Sequence, residues 1–261
     1  MLYLLSPAKT LDYTSPIDPA VLALATRPVF TPRAAELIAQ LKTLAPREVA
    51  TLMSLSDELA ALNVARYGAW SARATARNSR PAVLAFNGDV YAGLAARGMR
   101  PADLVWAQDH LVILSGLYGA LRPLDRLQPY RLEMGTRLAN ARGRDLYAFW
   151  GDTLVQYLND RLAADKVPVV INLASQEYFK AVDRKTLRAR VVECVFEDWK
   201  NGEYKIISFF AKRARGLMAR FAIQQRLETP EGLKGFDLDG YRLAPEVSSN
   251  ERLVFRRKAA P

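Results

Sequence analysis

Short apolar runs bounded by turn-forming residues recur along this chain of 261 residues. Such runs are typical of buried β-strands. The predicted strands are residues 2–5, 82–86, 111–114, 167–173, 191–196 and 205–210. Because several of them lead into helical patterns, we predict an α/β fold. It has a mixed, largely buried sheet, surrounding helices and a single domain over residues 1–261.

Residues 31–67 carry a helical pattern instead. Helix starts are predicted at Thr31-Pro32 and Ala45-Pro46, since proline is favoured in the first turn. We expect a helical insert that covers the sheet. Residues 12–28 hold three prolines and no clear period, which predicts an irregular excursion.

Composition allows a full hydrophobic core, with 50% hydrophobic and 25% charged residues. No apolar run is long enough to span a membrane. The apolar residues 1–5 meet the polar residues 6–9 too soon for a secretory signal, so we expect a cytoplasmic protein with no membrane partner.

The chain is basic, with 37 Lys and Arg against 27 Asp and Glu and a net charge of +10. This excess favours polyanionic partners such as nucleic acids. His110 and Cys194 are the single histidine and cysteine. They leave little basis for a disulfide, a zinc ribbon or a multi-histidine iron site, and only carboxylate-based metal binding stays open. We therefore predict no metal and no cofactor.

Polar and glycine-containing motifs follow four of the predicted strands, at residues 6–10, 87–89, 115–119 and 174–177. If the strands run mostly parallel, these loops meet at one sheet edge and form a cleft. Glycines 116 and 119 could bring backbone N–H groups close to a phosphate, and helices starting near Gly88 or Ser175 would add their dipoles. The alternative is that the two glycines only shape a tight turn.

Five polar residues are candidates for chemistry in this cleft, because lysine and carboxylate groups exchange protons when burial shifts their pKa. They are Lys9, Asp89, Arg131, Glu177 and Lys180. The alternatives are solvated lysines, a helix-capping aspartate and a structural ion pair between Arg131 and Glu133.

Residues 205–226 contain six basic residues and no acidic one, and we expect a change from strand to helix near Ala211. On a helical wheel the basic side chains share one face, while Leu217, Met218 and Phe221 take the opposite one. Gly216 and Ala219 fall inside the basic arc, so a backbone or a phosphate could approach there. The predicted DNA-binding residues are Lys212, Arg213, Arg215, Gly216 and Arg220, with Lys9 and Lys180 in the cleft.

Two segments are candidates for a helix-hairpin-helix-like element that grips a DNA backbone. Residues 227–236 resemble a hairpin between short helices, and residues 114–119 are a less complete candidate. The basic residues Arg252, Arg256, Arg257 and Lys258 form a terminal tail that is typically only solubilising.

Long motifs spanning nearly the whole chain resemble the YaaA family of peroxide-stress proteins. They are residues 6–12, 114–125, 129–134, 149–151, 171–175, 177–180 and 212–220. Asn87 departs from the lysine expected in some relatives, which weakens a phosphate-binding role for this position.

The resemblance implies a peroxide-stress protein that binds duplex and branched DNA, with an unusual α/β fold, a positively charged cleft and a helix-hairpin-helix element. It also implies a link to lowering available iron. The single histidine and cysteine argue against a soft-ligand iron store, so protection is better explained as indirect or as acting at DNA.

Three functions stay open. The first is binding of DNA phosphates without sequence specificity, which protects DNA from oxidative damage. The second is an enzyme that acts on a nucleotide or a nucleic-acid end in the cleft. The third is a protein whose basic face docks an acidic partner protein. The oligomeric state is left open.

Overall fold

The centre of the molecule is an eight-stranded mixed sheet, seen in a computed structural model that describes residues 1–258. The strands of the chain are β1 (Leu2–Leu5), β2 (Thr10–Leu11), β3 (Arg80–Pro81), β4 (Phe86–Asn87), β5 (Leu111–Ser115), β6 (Gly119–Leu121), β7 (Arg126–Leu127), β8 (Val169–Leu173), β9 (Arg190–Lys200), β10 (Glu203–Lys205), β11 (Arg242–Leu243) and β12 (Arg252–Arg257).

The sheet order is β11-β12-β9-β8-β1-β5-β6, with β10 paired to the end of β9. The five strands from β12 to β5 in this order are parallel to their neighbours, whereas β6, β10 and β11 are antiparallel. The short strands β2 and β4 form one separate pair, and β3 and β7 form another. The predicted mixed sheet is therefore confirmed.

Helices cover this sheet. They are α1 (Pro19–Ala23), α2 (Thr31–Leu41), α3 (Pro46–Met53), α4 (Asp57–Ala69), α5 (Ala82–Ala85), α6 (Asp89–Leu94), α7 (Pro101–His110), α8 (Leu146–Trp150), α9 (Thr153–Arg161), α10 (Gln176–Phe179) and α11 (Ser208–Gln225). Helices α2 to α4 are the predicted helical insert, and both α2 and α3 begin with proline in the first turn as expected. Within residues 1–258, no helix has the length and apolar character to cross a lipid bilayer.

The core is one continuous cluster that includes every residue of β1. Its neighbour β8 is also almost fully buried, as expected for central parallel strands whose two faces are both covered. Towards the other end of the sheet, Phe196, Phe236 and Phe255 pack their rings together with centroids 5.5–5.9 Å apart. The α/β fold prediction holds across the described chain.

Helix α11 lies between the sheet and α6, and it packs unusually close to α6. A Cβ atom at Gly216 would lie 1.8 Å from the carbonyl oxygen of Val90, and one at Gly93 would lie 2.1 Å from the carbonyl oxygen of Arg213. Each helix therefore needs a glycine where the other's backbone approaches. This contact fixes the position of α11 and of its basic residues.

Two of the predicted strands are wrong. Residues 82–86 form helix α5 followed by β4, because a short apolar run is buried equally well in either form. The backbone N–H groups of Ala82 and Val83 bond to the carbonyls of Asp125 and Pro123 instead of to a neighbouring sheet strand. Residues 205–210 are not a strand either, since β10 ends at Lys205 and α11 starts at Ser208. No residue from 203 to 210 is buried, so a strand would have no apolar face to pack.

Replacing Gly216 tests the close helix contact. We expect Gly216→Ala to lower the free energy of unfolding by about 1–3 kcal/mol or more, because the new methyl group clashes with the backbone of α6. Urea and thermal denaturation of the purified variant measure this loss.

Gly68→Ala is the matched control, since Gly68 lies in α4 and a Cβ atom there would meet nothing within 4 Å. We expect it to be neutral or to stabilise the protein by up to about 1 kcal/mol. Equal stability of the two variants would contradict the packing described for α11.

Candidate functional site

A cleft opens at the carboxyl ends of the neighbouring parallel strands β1 and β8, whose last residues Leu5 and Leu173 are paired. Ser6 follows β1, and Ser175 lies two residues beyond β8. The backbone N–H of Ser175 donates to Ser6 Oγ at 2.9 Å, and the two hydroxyl groups are 3.3 Å apart. The predicted meeting of these two loops at one sheet edge is confirmed.

The loop at residues 87–89 joins them because β2 and β4 pair, with Thr10 opposite Asn87. The resulting cleft has a volume of about 420 Å³. The residues that line it are Ser6, Pro7, Ala8, Lys9, Thr10, Asn87, Gly88, Asp89, Val90, Tyr130, Arg131, Leu132, Glu133, Ser175, Glu177, Tyr178, Lys212 and Arg215. Candidates from both predicted sets, the catalytic and the DNA-binding, therefore share one site.

The fourth loop, residues 115–119, does not reach the cleft. It is buried throughout and turns the chain from β5 into β6, with Gly119 at a φ of +67°. A Cβ atom at Gly116 would lie 2.2 Å from the carbonyl oxygen of Leu132, so a phosphate cannot approach there. The tight-turn interpretation of this loop is confirmed, and the phosphate-binding interpretation is wrong.

One wall of the cleft holds a compensated group of charges. Glu133 accepts Lys9 Nζ at 2.7 Å and the Arg131 guanidinium at 3.3 Å. The structural ion pair between Arg131 and Glu133 is thus confirmed, and Lys9 extends it. Arg131 Nε is buried and has no hydrogen-bond partner among the described residues. Ion pairs therefore order this wall, and the N–H donor of Arg131 Nε is left without a partner in the described chain.

Two cations from α11 also line the cleft. Lys212 and Arg215 are three residues apart on the helix, and neither makes an ion pair with a carboxylate within residues 1–258. Burial lowers the pKa of the Arg215 guanidinium, because a desolvated cation is less stable than a solvated one. A partly buried cation without a counterion is costly. This part of the cleft therefore favours an anionic ligand.

Asp89 and Glu177 add negative charge to the same cleft. Glu177 Oε1 accepts the backbone N–H of Gly135 at 2.9 Å, whereas Asp89 forms no ion pair in the described chain. With Glu133, three carboxylates face four cations, so the charge of the cleft is mixed and not uniformly basic as the resemblance implied. Helices α6 and α10 at its rim have only six and four residues, so their dipoles add little.

Metal binding has no evident site within the described residues. Among residues 1–258, no three His, Cys, Asp or Glu side chains are grouped closely enough to hold a metal ion. His110 is stacked on Trp106, with ring centroids 3.8 Å apart, and it does not line the cleft.

Several predicted site residues lie outside the cleft. Lys180 is exposed, and its Nζ lies 4.7 Å from the centroid of the Tyr147 ring. Arg213 pairs with Asp239 at 3.6 Å. Arg220 lines a neighbouring pocket of about 360 Å³ that also includes Arg97.

Gly216 is buried against α6, so the predicted approach of a phosphate at this residue is wrong. The close approach expected from the sequence does occur, but the neighbour is the backbone of the protein's own helix. The helical wheel could not show this, because it treats α11 as a helix with one exposed face.

The two candidate hairpin elements differ from their predictions. Residues 114–119 join two strands, so the helix-hairpin-helix prediction is wrong there. Residues 227–236 follow α11 but contain the 3-10 helix Pro230–Gly235, and no second α-helix follows within this segment. The basic residues near the end are not a free tail. Arg256 and Arg257 lie in β12, where Arg256 pairs with Glu197 at 2.9 Å and Arg257 pairs with Asp198 at 2.7 Å.

The sequence did not single out Ser6, Ser175 or Glu133 as individual site residues. Ser6 and Ser175 meet because β1 and β8 are neighbours, and strand order cannot be read from the residues alone. For Glu133 a signal was present, since it lies two residues from Arg131 in a loop of alternating charge.

Comparisons with known proteins agree over the whole chain. A family model described as peroxide stress protein YaaA matches residues 1–247. A UPF0246 protein of Leptothrix cholodnii is 66% identical over 260 residues, which is 100% of both chains. A UPF0246 protein of Bordetella petrii is 62% identical over 259 residues, covering 99% of this chain and 100% of the relative.

Cys194 allows a test of whether the protein senses peroxide through its single thiol. Burial raises the pKa of this thiol to about 12, so it stays protonated at neutral pH, and the thiolate is the form that peroxide oxidises. We expect the folded protein to show no mass increase after mild hydrogen peroxide treatment, and slow reaction with a thiol reagent.

The unfolded protein in guanidinium chloride serves as the control, and its thiol should react fully. Rapid oxidation of Cys194 in the folded state would contradict this prediction.

Proposed function

Since the chain belongs to the peroxide stress protein YaaA family, we propose that it acts under peroxide stress by binding DNA through phosphate contacts. Family membership supports the role in oxidative stress. The proposed molecular function is binding without sequence specificity, which shields or holds DNA that is exposed to oxidative damage.

The single observation that carries this proposal is the pair of unpaired cations, Lys212 and Arg215, in the cleft. Most of the other basic residues near the site already have carboxylate partners, as Lys9, Arg131 and Arg213 do. A phosphate oxygen is the ligand that a lysine and an arginine on adjacent turns bind best. It would supply the charge that the protein itself does not provide.

The overall charge supports the same partner. A net charge of +10 attracts a polyanion and raises its rate of association. Phosphate contacts position a nucleic acid but carry no base information, which is why we propose binding without sequence specificity. Arg220, which makes no ion pair in the described chain, lies on the same helix and would extend the contact beyond the cleft.

A second function is favoured by the carboxylates. Lys9, Asp89, Arg131 and Glu177 were predicted as a catalytic set, and all four line the cleft, while Lys180 does not. Groups that donate and accept protons, collected beside a phosphate site, are what a nucleotide-directed enzyme requires. We therefore propose, as the alternative, an enzyme that acts on a nucleotide or a nucleic-acid end.

DNA binding is tested by measuring affinity for a short duplex between about 50 and 200 mM salt. We expect the logarithm of the affinity to fall steeply with the logarithm of the salt concentration. In the double variant Lys212→Ala, Arg215→Ala the slope should be shallower by roughly two units, since each lost phosphate contact removes about 0.9. Fluorescence anisotropy with labelled DNA gives both quantities.

Arg213→Ala is the matched control, because Arg213 lies on the same helix but pairs with Asp239. It should retain the wild-type slope. Thermal melting must first show that the double variant is folded. Unchanged binding by a folded double variant would remove the cleft as the DNA contact.

The enzymatic alternative is tested with Asp89→Asn, which removes a negative charge without changing the size of the side chain. If the cleft is catalytic, cells that carry this variant should lose protection against peroxide. The affinity for duplex DNA should stay within about twofold, because a charge in a solvated cleft affects a phosphate only modestly. Survival after a peroxide challenge is the measurement.

Asp109→Asn is the control, because Asp109 is exposed on α7 and outside the cleft. Full protection by Asp89→Asn would exclude a catalytic role for Asp89.

A further inference from the structure

The size of the cleft limits what can enter it. Its volume of about 420 Å³ lies in the range of pockets for small ligands, about 300–1000 Å³. A DNA duplex is much larger, since its major groove alone is about 12 Å wide. A single nucleotide fits the cleft, whereas paired strands can only contact its rim.

The distribution of charge points in the same direction. Glu133 is already paired with Lys9 and Arg131, so Asp89 and Glu177 are the carboxylates left to face a ligand beside Lys212 and Arg215. A continuous strand would place further phosphates on both sides of the bound one, close to these carboxylates. A terminal nucleotide has a neighbouring phosphate on one side only, and its hydroxyl or amino groups can donate to carboxylate oxygens.

The number of unpaired cations also matches a terminal phosphate. Lys212 and Arg215 together carry two positive charges without a partner in the described chain. A phosphodiester in a DNA backbone carries one negative charge, but a phosphomonoester carries about −1.5 to −2 at neutral pH and offers three acceptor oxygens. The monoester therefore offers Lys212 and Arg215 more charge and more acceptor oxygens than the diester does.

We propose that the cleft binds a nucleotide through its phosphomonoester, held by Lys212 and Arg215, with the nucleoside facing Asp89 and Glu177. The natural source is the phosphorylated end of a DNA strand. This proposal rests on the proposed function, DNA binding, and it specifies which part of the DNA enters the cleft. Internal phosphates reach Lys212 and Arg215 only from the rim of the cleft, where their contacts are weaker.

The experiment compares four labelled duplexes of one sequence at one salt concentration. Their ends carry a 5′-phosphate, a 3′-phosphate or only hydroxyl groups, or they are closed by hairpin loops so that no end exists. We expect one of the phosphorylated duplexes to bind about tenfold tighter than the hydroxyl-ended and closed forms, a difference of about 1.4 kcal/mol. A deoxynucleoside monophosphate should displace it, and the matching deoxynucleoside should not.

Substitutions in α11 test whether the preference for phosphorylated ends arises in the cleft. Lys212→Gln and Arg215→Gln should each abolish the preference for phosphorylated ends, whereas Arg213→Gln should retain it, because Arg213 pairs with Asp239 away from the cleft. Lys212 is exposed, so its variant is expected to fold even if Arg215→Gln does not.

The possible outcomes separate this proposal from the proposed function. Equal, salt-dependent binding of all four duplexes would overturn end recognition and leave DNA binding in place. Binding of the monophosphate that depends on Lys212, without binding of any duplex, would support the phosphomonoester site but overturn DNA as its source. Binding of neither ligand would overturn both proposals.

Discussion

The close packing of α11 against α6 is the constraint on which the candidate site depends. Gly216 and Gly93 let the two backbones approach more closely than any side chain would allow. Helix α11 is thereby held between α6 and the central strands of the sheet. Because the helix cannot shift, Lys212 and Arg215 are carried to the carboxyl edge of β1 and β8. This glycine contact lies beside the cleft, which Val90 and Arg215 line, and it thus positions the two cations.

The cleft contains two groups of cations, one that is paired with a carboxylate and one that is not. Lys9 and Arg131 both pair with Glu133, and these ion pairs contribute to local order. Lys212 and Arg215 have no such partners, and the burial of Arg215 makes its isolation costly. Natural proteins retain costly features of this kind mainly at functional sites, where a ligand completes the interaction. The unpaired cations, and not the total charge of +10, are therefore the reason to choose this cleft as the candidate site.

Two arginines of the last strand have a different role. Arg256 and Arg257 lie in β12, where they pair with Glu197 and Asp198, and Arg257 also lies 4.5 Å from the centroid of the Tyr241 ring. These arginines hold the end of the sheet together. The buried thiol of Cys194 is similarly structural, since it packs under α11 and stays protonated. Burial therefore disfavours the thiolate form of Cys194 that peroxide would oxidise.

The residues alone were sufficient for the α/β class, the helical insert and the central strands β1, β5, β8 and β9, because apolar periodicity and proline position act locally. They also identified three of the four loops that were expected at the cleft and the ion pair of Arg131 with Glu133. Only the tertiary structure decided which basic residues lack a carboxylate partner. It also showed that α6 covers Gly216, since a helical wheel drawn for α11 includes no other helix. It also decided that residues 82–85 form a helix and that residues 115–119 are buried. Both outcomes depend on contacts between residues that are distant in the sequence, and the sequence pattern does not specify those contacts.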